Sequence, residues 1–393
     1  MFVLGGYQSD FARHLSRDQR DISDLVGEIV DGTLADAAIE AREVETIHVG
    51  NAFGQLFNGQ GQLGAMPATM RPALWGVPAM RHEAACASGT IAILAALSEL
   101  AAGHYDVALV VGVEQERNVP GDDAARYLGA AAWAGREGDT GRYLWPHMFS
   151  RVADAYVERF GHLTEAHLDA ISAKAFANAR TNGKAQTRAW SSDAPNPVVE
   201  GRLRRRDCAQ VTDGGAGIVL ASSRFAQAWA ARRDRAAPPR ILGWGHRTAG
   251  LGLAQKLARS GELLFPHVAD AIADARRRAG RPREAIDGYE IHDCFTPTEY
   301  MAIDHLGLTP PGESFRAIES GATQLGGATP INATGGLIGG GHPVGATGVR
   351  MALDAARQVS GMCGANQIAH ARTIQTLNLG GSATTIASLI VGV

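Results

Sequence analysis

Apolar and polar positions follow two alternating rhythms along this chain. Short apolar runs at residues 45–53 (ETIHVGNAF), 106–114 (DVALVVGVE), 216–222 (AGIVLAS) and 287–295 (DGYEIHDCF) read as strands. Residues 21–41 (DISDLVGEIVDGTLADAAIEA) and 266–280 (PHVADAIADARRRAG) instead space their apolar positions as a helix does. Strands alternating with longer helices predict an α/β protein with mostly parallel sheets. Residues 117–206 break the rhythm: they are polar, contain NGKAQTRAWSSDAPNP and end in the basic run RLRRR, which marks an inserted region.

Two internal similarities point to a duplicated body. TDGGAGIVLASS at 212–223 and NLGGSATTIASLIV at 378–391 share a turn, paired glycines and a strand. CASGTIAILAALSEL at 86–100 and GHPVGATGVRMALDAARQV at 341–359 each set a reactive side chain just before a helix start rich in small residues. No short repeat period is visible, which excludes a solenoid.

Composition narrows the class. The 393 residues, 45% hydrophobic and 20% charged, fit a folded protein of two or three packed units and exclude a disordered or fibrous chain. A formal net charge of -3 gives no field for nucleic acid or an anionic membrane. Four scattered cysteines, Cys86, Cys208, Cys294 and Cys363, form neither a disulfide framework nor a CxxC pair, so the expected compartment is a reducing cytoplasm. The sequence predicts no export signal and no membrane span, since the most apolar helix candidate at 91–97 is closed by Ser98 and Glu99.

The 48 glycines lead to the candidate chemistry. Cys86 precedes a helix entered through Ser88 and Thr90, where the helix amino end would lower its thiol pKa; a buried, inert cysteine fits the same pattern. Residues 286–291 read as a strand, and Thr296, Pro297 and Glu299 as the N-cap, first residue and capping-box acid of the following helix. His292 and Cys294 then share one side of the strand's carboxyl edge, where α/β sheets bind ligands, while Asp293 is suited to holding backbone. His342 rides on seven glycines between Gly335 and Gly348, with no Lys-Ser/Thr pair for a Walker loop. Asn378, Gly380 and Gly381 end a strand and could turn backbone N–H groups toward an oxyanion. Metal ligation by His292, Cys294 and His342 lacks an established zinc spacing.

Taken together, ACASG at Cys86, HDCF at 292–295, GGGHPVGATG at 339–348 and NLGGSA at 378–383 resemble the thiolase superfamily, in particular sterol-carrier-protein-type thiolases and their archaeal and bacterial relatives. SAKAFANARTNGKAQ at 172–186 and TDGGAG at 212–217 extend the resemblance along nearly the whole chain. It implies the five-layered thiolase fold of duplicated βαβαβαββ halves: residues 1–116 with 207–240, then 241–393, with an inserted loop domain at 117–206.

The resemblance also implies CoA-dependent Claisen chemistry, or its thiolytic reverse, in fatty-acid or other lipid metabolism. Cys86 matches the acylated nucleophile, His342 its base, His292 the oxyanion imidazole and Cys294 the acid/base at the α-carbon. Backbone N–H groups of Cys86 and Gly380 match the second oxyanion site. Other thiolases carry a cysteine where Asn378 stands and an asparagine where His292 stands; in the HDCF branch Cys294 takes over that proton transfer. Cys208 and Cys363 match no catalytic motif. Acyl-CoA and CoA would be substrates, with no permanently bound cofactor and no metal. A homodimer or dimer of dimers is implied, and some relatives need a small OB-fold and zinc-ribbon partner or act as aldolases. A chain ending right after its last strand is expected to carry no fused lipid-carrier domain. Arg202, Arg204, Arg205 and Arg206 are candidate phosphate contacts or a solvated face, and Trp145, Met148, Phe149 and Tyr300 are candidates for the acyl pocket or for core.

Overall fold

The computed structural model describes residues 1–137, 141–191, 194–233, 236–259 and 261–393; residues 192–193 of the polar stretch at 182–197 lie outside the described residues. Eleven strands run in chain order: β1 (Phe2–Gln8), β2 (Thr46–Gly50), β3 (Ala79–His82), β4 (Val107–Glu114), β5 (Val198–Glu200), β6 (Leu203–Arg204), β7 (Gly214–Ala221), β8 (Arg240–Thr248), β9 (Gly288–Ile291), β10 (Thr373–Gly380) and β11 (Thr385–Gly392). Nine of them form one mixed sheet ordered β3-β2-β4-β7-β1-β8-β11-β10-β9, and β5 and β6 pair separately in the insert.

The duplication is visible in this order. Reading β2-β4-β7-β1 and then β9-β10-β11-β8 gives the same sequence of strands, with β2 parallel to β4, β9 parallel to β10, and the other neighbours antiparallel. The first half adds β3 parallel to β2; in the second, the corresponding pairing shrinks to a single bridge between Tyr289 and Ile331. Edge to edge, the two half-sheets meet at the Phe2–Arg240 pair, flanked by backbone bonds from Val3 to the Pro239 carbonyl and from Ile241 to the Met1 carbonyl.

Helices build the remaining layers. Asp21 caps the Ile22–Ala37 helix by accepting from the N–H groups of Ser23 and Asp24, and its apolar stripe packs on β1 and β7. The Pro266–Ala279 helix covers β8 and β11 on the opposite outer face. Between the two half-sheets run the Ser88–Ala102 and Thr347–Val359 helices, in contact with each other and, between them, with strands of both halves. The first overlaps the one stretch, Ala85–Ala102, that among the described residues is long and apolar enough to cross a membrane. Here that apolarity fills a middle layer, as expected of a helix covered on several sides.

One predicted helix start differs in detail. Phe295, not Thr296, is the N-cap of the Thr296–His305 helix. The Thr296 hydroxyl donates to Asp207 (2.9 Å), and Glu299 turns to Lys174 instead of back to the cap. Lys174 of the insert, which carries the Leu144–Phe160 and Glu165–Arg180 helices, and Asp207 just beyond it claim both side chains that a capping box would have used.

Candidate active site

The two central helices deliver the reactive groups. Cys86 sits in the turn between β3 and the Ser88–Ala102 helix, directly after Ala85, whose φ of 49° puts a non-glycine residue in the left-handed region. The Ser88 hydroxyl holds this turn, donating to the Ala85 carbonyl (2.6 Å) and accepting from the Ala84 N–H (2.9 Å). The second half repeats the device: Thr347 donates to the Pro343 carbonyl (3.0 Å) at the start of its helix.

That one bond sets the chemistry of His342. With the Thr347 proton on the Pro343 carbonyl, its oxygen accepts from His342 Nδ1–H at 2.7 Å. His342 Nε2 is left with a lone pair, the form required of a base. Its backbone N–H donates to the Thr212 hydroxyl (2.9 Å).

His292 is set in the opposite sense. The Asn378 amide faces the Cys86 carbonyl at 3.1 Å, and a carbonyl can only accept, so the facing atom is the NH2 group. Thr90 donates to the other end, Oδ1, at 2.8 Å. The second Asn378 N–H therefore donates to His292 Nδ1 (3.1 Å), and the His292 proton sits on Nε2. One histidine thus offers a lone pair and the other an N–H. Their rings meet edge to face at 5.1 Å, and ligating atoms of Cys86, His292 and His342 all lie within 4.8 Å of one another.

Burial keeps these groups uncharged. Desolvation, then the nearby Glu116, pushes the Cys86 thiol up to about 12, although the N–H groups of Gly381 and Cys86 itself act against that rise. This reverses the lowering expected from a helix amino end: loss of water outweighs the dipole. Desolvation, then Arg350, pushes His342 down to about 3. His292 is also lowered, by burial and then His342, and Cys294 is raised, by burial and then Cys86. The resting pair is a thiol beside a neutral imidazole.

Of the two glycines considered, Gly381 has its N–H against the Cys86 thiol and borders the same cavity. Gly380 ends β10 and lines an adjoining depression, which Gly381, Phe53 and Ala131 border as well. The Gly381 turn is anchored by buried Lys256, which donates to Ser382 Oγ (2.7 Å), Thr384 Oγ1 (2.8 Å) and the Leu251 carbonyl (2.9 Å). Asp293 accepts from the N–H groups of Leu337 (2.7 Å) and Ile338 (3.4 Å), tying the HDCF segment to the glycine-rich one.

Cys86, Cys294 and His342 open onto a cavity of about 420 Å3. Its walls are mostly apolar, with Phe53, Leu128, Trp145, Phe149, Phe295 and Val344 among them. Trp145 and Phe149 thus line it, whereas Met148 and Tyr300 pack in the core, Tyr300 donating to the His162 carbonyl. Within the basic run, Arg202 pairs with Asp154, Arg204 with Glu165, and Arg206 holds the Ala194 carbonyl. Only Arg205 of the four borders the cavity, exposed and 5.3 Å over the Trp190 ring. Cys208 also borders it; Cys363 lies in the turn after the Thr347–Val359 helix.

The structure brings together the four candidate side chains that the sequence singled out, Cys86, His292, Cys294 and His342, and adds holders that the sequence did not single out as such. Thr347 was legible in principle, because GATG at 345–348 repeats CASG at 86–89 and aligns Thr347 with Ser88. Nothing local signalled Thr90, Lys256 or the side-chain role of Asn378, whose partners are far away in sequence.

The comparisons with known proteins agree with this geometry. Residues 2–189 match the thiolase N-terminal domain and residues 253–393 the thiolase C-terminal domain-like family. The chain belongs to the thiolase family. It is 29% identical to an acetyl-CoA acetyltransferase of Methanothermobacter thermautotrophicus, over 98% of this chain and 97% of the relative. It is 26% identical to human sterol carrier protein 2, over 97% of this chain and 70% of the relative. Among solved structures, one described as "Ltp2-ChsH2(DUF35) aldolase" superposes with a TM-score of 0.79 at 21% identity, covering 100% of this chain and 97% of that one. The acetyl-CoA acetyltransferase from Syntrophomonas wolfei gives 0.71 at 16% identity, covering 100% and 98%. These similarities support an acyltransferase of the thiolase family.

Proposed function

We propose that the protein is a CoA-dependent C-acyltransferase that forms or cleaves 3-ketoacyl-CoA through an acyl thioester on Cys86. The observation that carries this reading is the pairing of opposed histidines around one thiol, His342 with a free Nε2 and His292 with an Nε2–H. Cys86 Sγ attacks the acyl carbonyl as His342 takes its proton; the bond from carbon to the CoA sulfur breaks, and that proton leaves with the CoA thiol. Backbone N–H groups of Cys86 and Gly381 receive the charge on the acyl oxygen. Cys294 passes its own proton to His342 Nε2 and, as the thiolate, removes the α-proton of a second acyl-CoA while His292 Nε2–H holds the enolate oxygen; the new carbon–carbon bond forms as the bond from the acyl carbon to Cys86 Sγ breaks, and the Cys86 thiolate takes back the proton held by His342. Thiolysis runs the same steps backwards.

Acyl-CoA and CoA are substrates here, with Arg205 at the cavity mouth the basic side chain best placed for a CoA phosphate; no resident cofactor is needed. A metal on the Cys86, His292 and His342 cluster is disfavoured. Freeing His292 Nε2 for a ligand bond would move its proton to Nδ1, against an Asn378 N–H. A homodimer or dimer of dimers is part of the proposal, and β3 leaves a strand edge at one end of the sheet.

Thiolysis of acetoacetyl-CoA and longer 3-ketoacyl-CoAs tests the reading, with loss of activity expected in Cys86→Ala. A second reading, an aldolase-like or partner-dependent subunit working with a small OB-fold and zinc-ribbon protein, is favoured by the likeness to the structure described as an Ltp2-ChsH2(DUF35) aldolase. Carbon–carbon cleavage that survives Cys86→Ala would select it.

A further inference from the structure

Glu116 is a carboxyl that the acyl-transfer steps do not use. It lies just past the end of β4, is 1% exposed, and borders the cavity beside Cys86 and His342. Its neighbours Glu114 and Asp213 are well supplied with donors. Glu114 accepts from Asn51 Nδ2 (2.8 Å) and from the N–H groups of Ala52, Phe53 and Gly345 (2.9–3.0 Å). Asp213 accepts from the N–H groups of Leu15, Glu116 and Arg117 (2.8–3.0 Å).

Glu116 itself has far less. It takes a long contact from the Val344 N–H (3.4 Å) and one from the Thr212 N–H. Among the described residues no lysine or arginine hydrogen-bonds to it. Of three acids packed together, the one with fewest donors takes the proton. Burial first, then Glu114, accordingly raises the Glu116 carboxyl well above its usual range. A neutral carboxylic acid is a hydrogen-bond donor, and here it borders a cavity with few other buried polar groups. Arg205 is exposed, and Gln210 already donates to the Cys208 carbonyl.

We propose that Glu116 is a specificity residue whose O–H donates to a neutral oxygen on the acyl group, so that the preferred acyl chains carry a hydroxyl or keto oxygen within a few carbons of the thioester. This rests on the reading of Cys86 as the acylated nucleophile. A site built to hydrogen-bond a substrate oxygen discriminates strongly against the analogue lacking it, because the buried donor is then left unpaired.

The test measures rates of Cys86 acylation by mass spectrometry for two matched pairs: 4-oxopentanoyl-CoA against pentanoyl-CoA, and 3-hydroxybutyryl-CoA against butyryl-CoA. Wild type is expected to favour the oxygenated member of at least one pair by about tenfold or more. Glu116→Gln, which keeps an N–H donor, should retain much of that ratio, and Glu116→Met should bring it near one. Because a folding defect slows both members equally, the ratio isolates the contact. A ratio near one in wild type, or a preference that Glu116→Met leaves intact, overturns the proposal. So does a Glu116-dependent preference for an amine-bearing chain, which would mean an ionised carboxylate. Absence of any Cys86 adduct with all four substrates would instead defeat the acyltransferase reading beneath it.

Discussion

The two halves of the molecule share a strand order and a helix start, yet each equips its copy differently. In the first, CASG at 86–89 carries the proposed nucleophile at its first position; in the second, GATG at 345–348 has glycine there, and the proposed base, His342, stands three residues earlier. Support is exchanged between them. Asn378 of the second half binds the Cys86 carbonyl of the first, while Thr212 of the first receives the His342 N–H of the second. A duplicated fold thus becomes one site only when both halves are docked, each loop held from across the interface.

The joint after the matching strands β4 and β10 differs as well. β10 returns to β11 through residues 381–384, whereas β4 reaches β7 only after the whole insert. The short joint leaves the Gly381 N–H beside Cys86. The long one sends Ala209 to the Cys294 carbonyl (2.8 Å) and Val211 to a bridge with His342 before closing. Within the insert, Gln186 and Thr187 donate their N–H groups to the Gly340 and Gly339 carbonyls (2.9 and 3.2 Å), so the insert buttresses the glycine-rich segment as well as walling the cavity.

The largest expected effect comes from removing one reactive group from either half. Cys86→Ala should abolish Cys86-dependent turnover, and His342→Ala should slow acylation by about 10²–10⁴-fold, the usual worth of a general base. Single-turnover kinetics with circular dichroism would separate this from misfolding. Next is the contact between the helix starts. A Cβ on Gly89 would lie 2.8 Å from the Gly345 carbonyl, and one on Gly348 would collide with the Thr90 backbone and hydroxyl. Gly348→Ala is expected to cost about 1–3 kcal/mol by overpacking, read from denaturant melts. If it costs nothing, the halves are not locked at this point.

The holders should have smaller effects. Thr347→Val and Asn378→Leu are each expected to lower kcat by about tenfold to a hundredfold, the range seen for orienting partners. Substrate KM should change little, which a purely structural defect would not ensure. Smallest is a matter of profile. With the Cys86 thiol pushed up to about 12, its thiolate is scarce at neutrality and grows about tenfold per pH unit. Alkylation by iodoacetamide should therefore climb through pH 9 without a plateau. A plateau near pH 7 would mean a preformed thiolate–imidazolium pair.

Much of this was legible in the chain. Strand and helix rhythms and the paired repeats follow from local pattern, because periodicity and glycine-rich turns leave marks within a few residues, although the mostly parallel sheet they predict is a mixed one with five of eight strand pairings antiparallel; Cys86, His292, Cys294 and His342 stood out locally only as candidates, and the family resemblance supplied their expected roles. Three things were not. The thiol pKa depends on how much water the finished fold excludes. The Thr296 and Glu299 side chains were claimed by Asp207 and Lys174, 89 and 125 residues away in sequence. The placing of the Gly381 N–H against the Cys86 thiol depends on how a tight turn aims one amide.

The most direct test of the central claim is the intact mass of the protein after exposure to acetyl-CoA, in wild type and Cys86→Ala, with the modified peptide located. An acetyl adduct on the Cys86 peptide, discharged by free CoA and missing from the variant, is the expected result. No adduct in wild type, together with carbon–carbon cleavage that persists in Cys86→Ala, would contradict it.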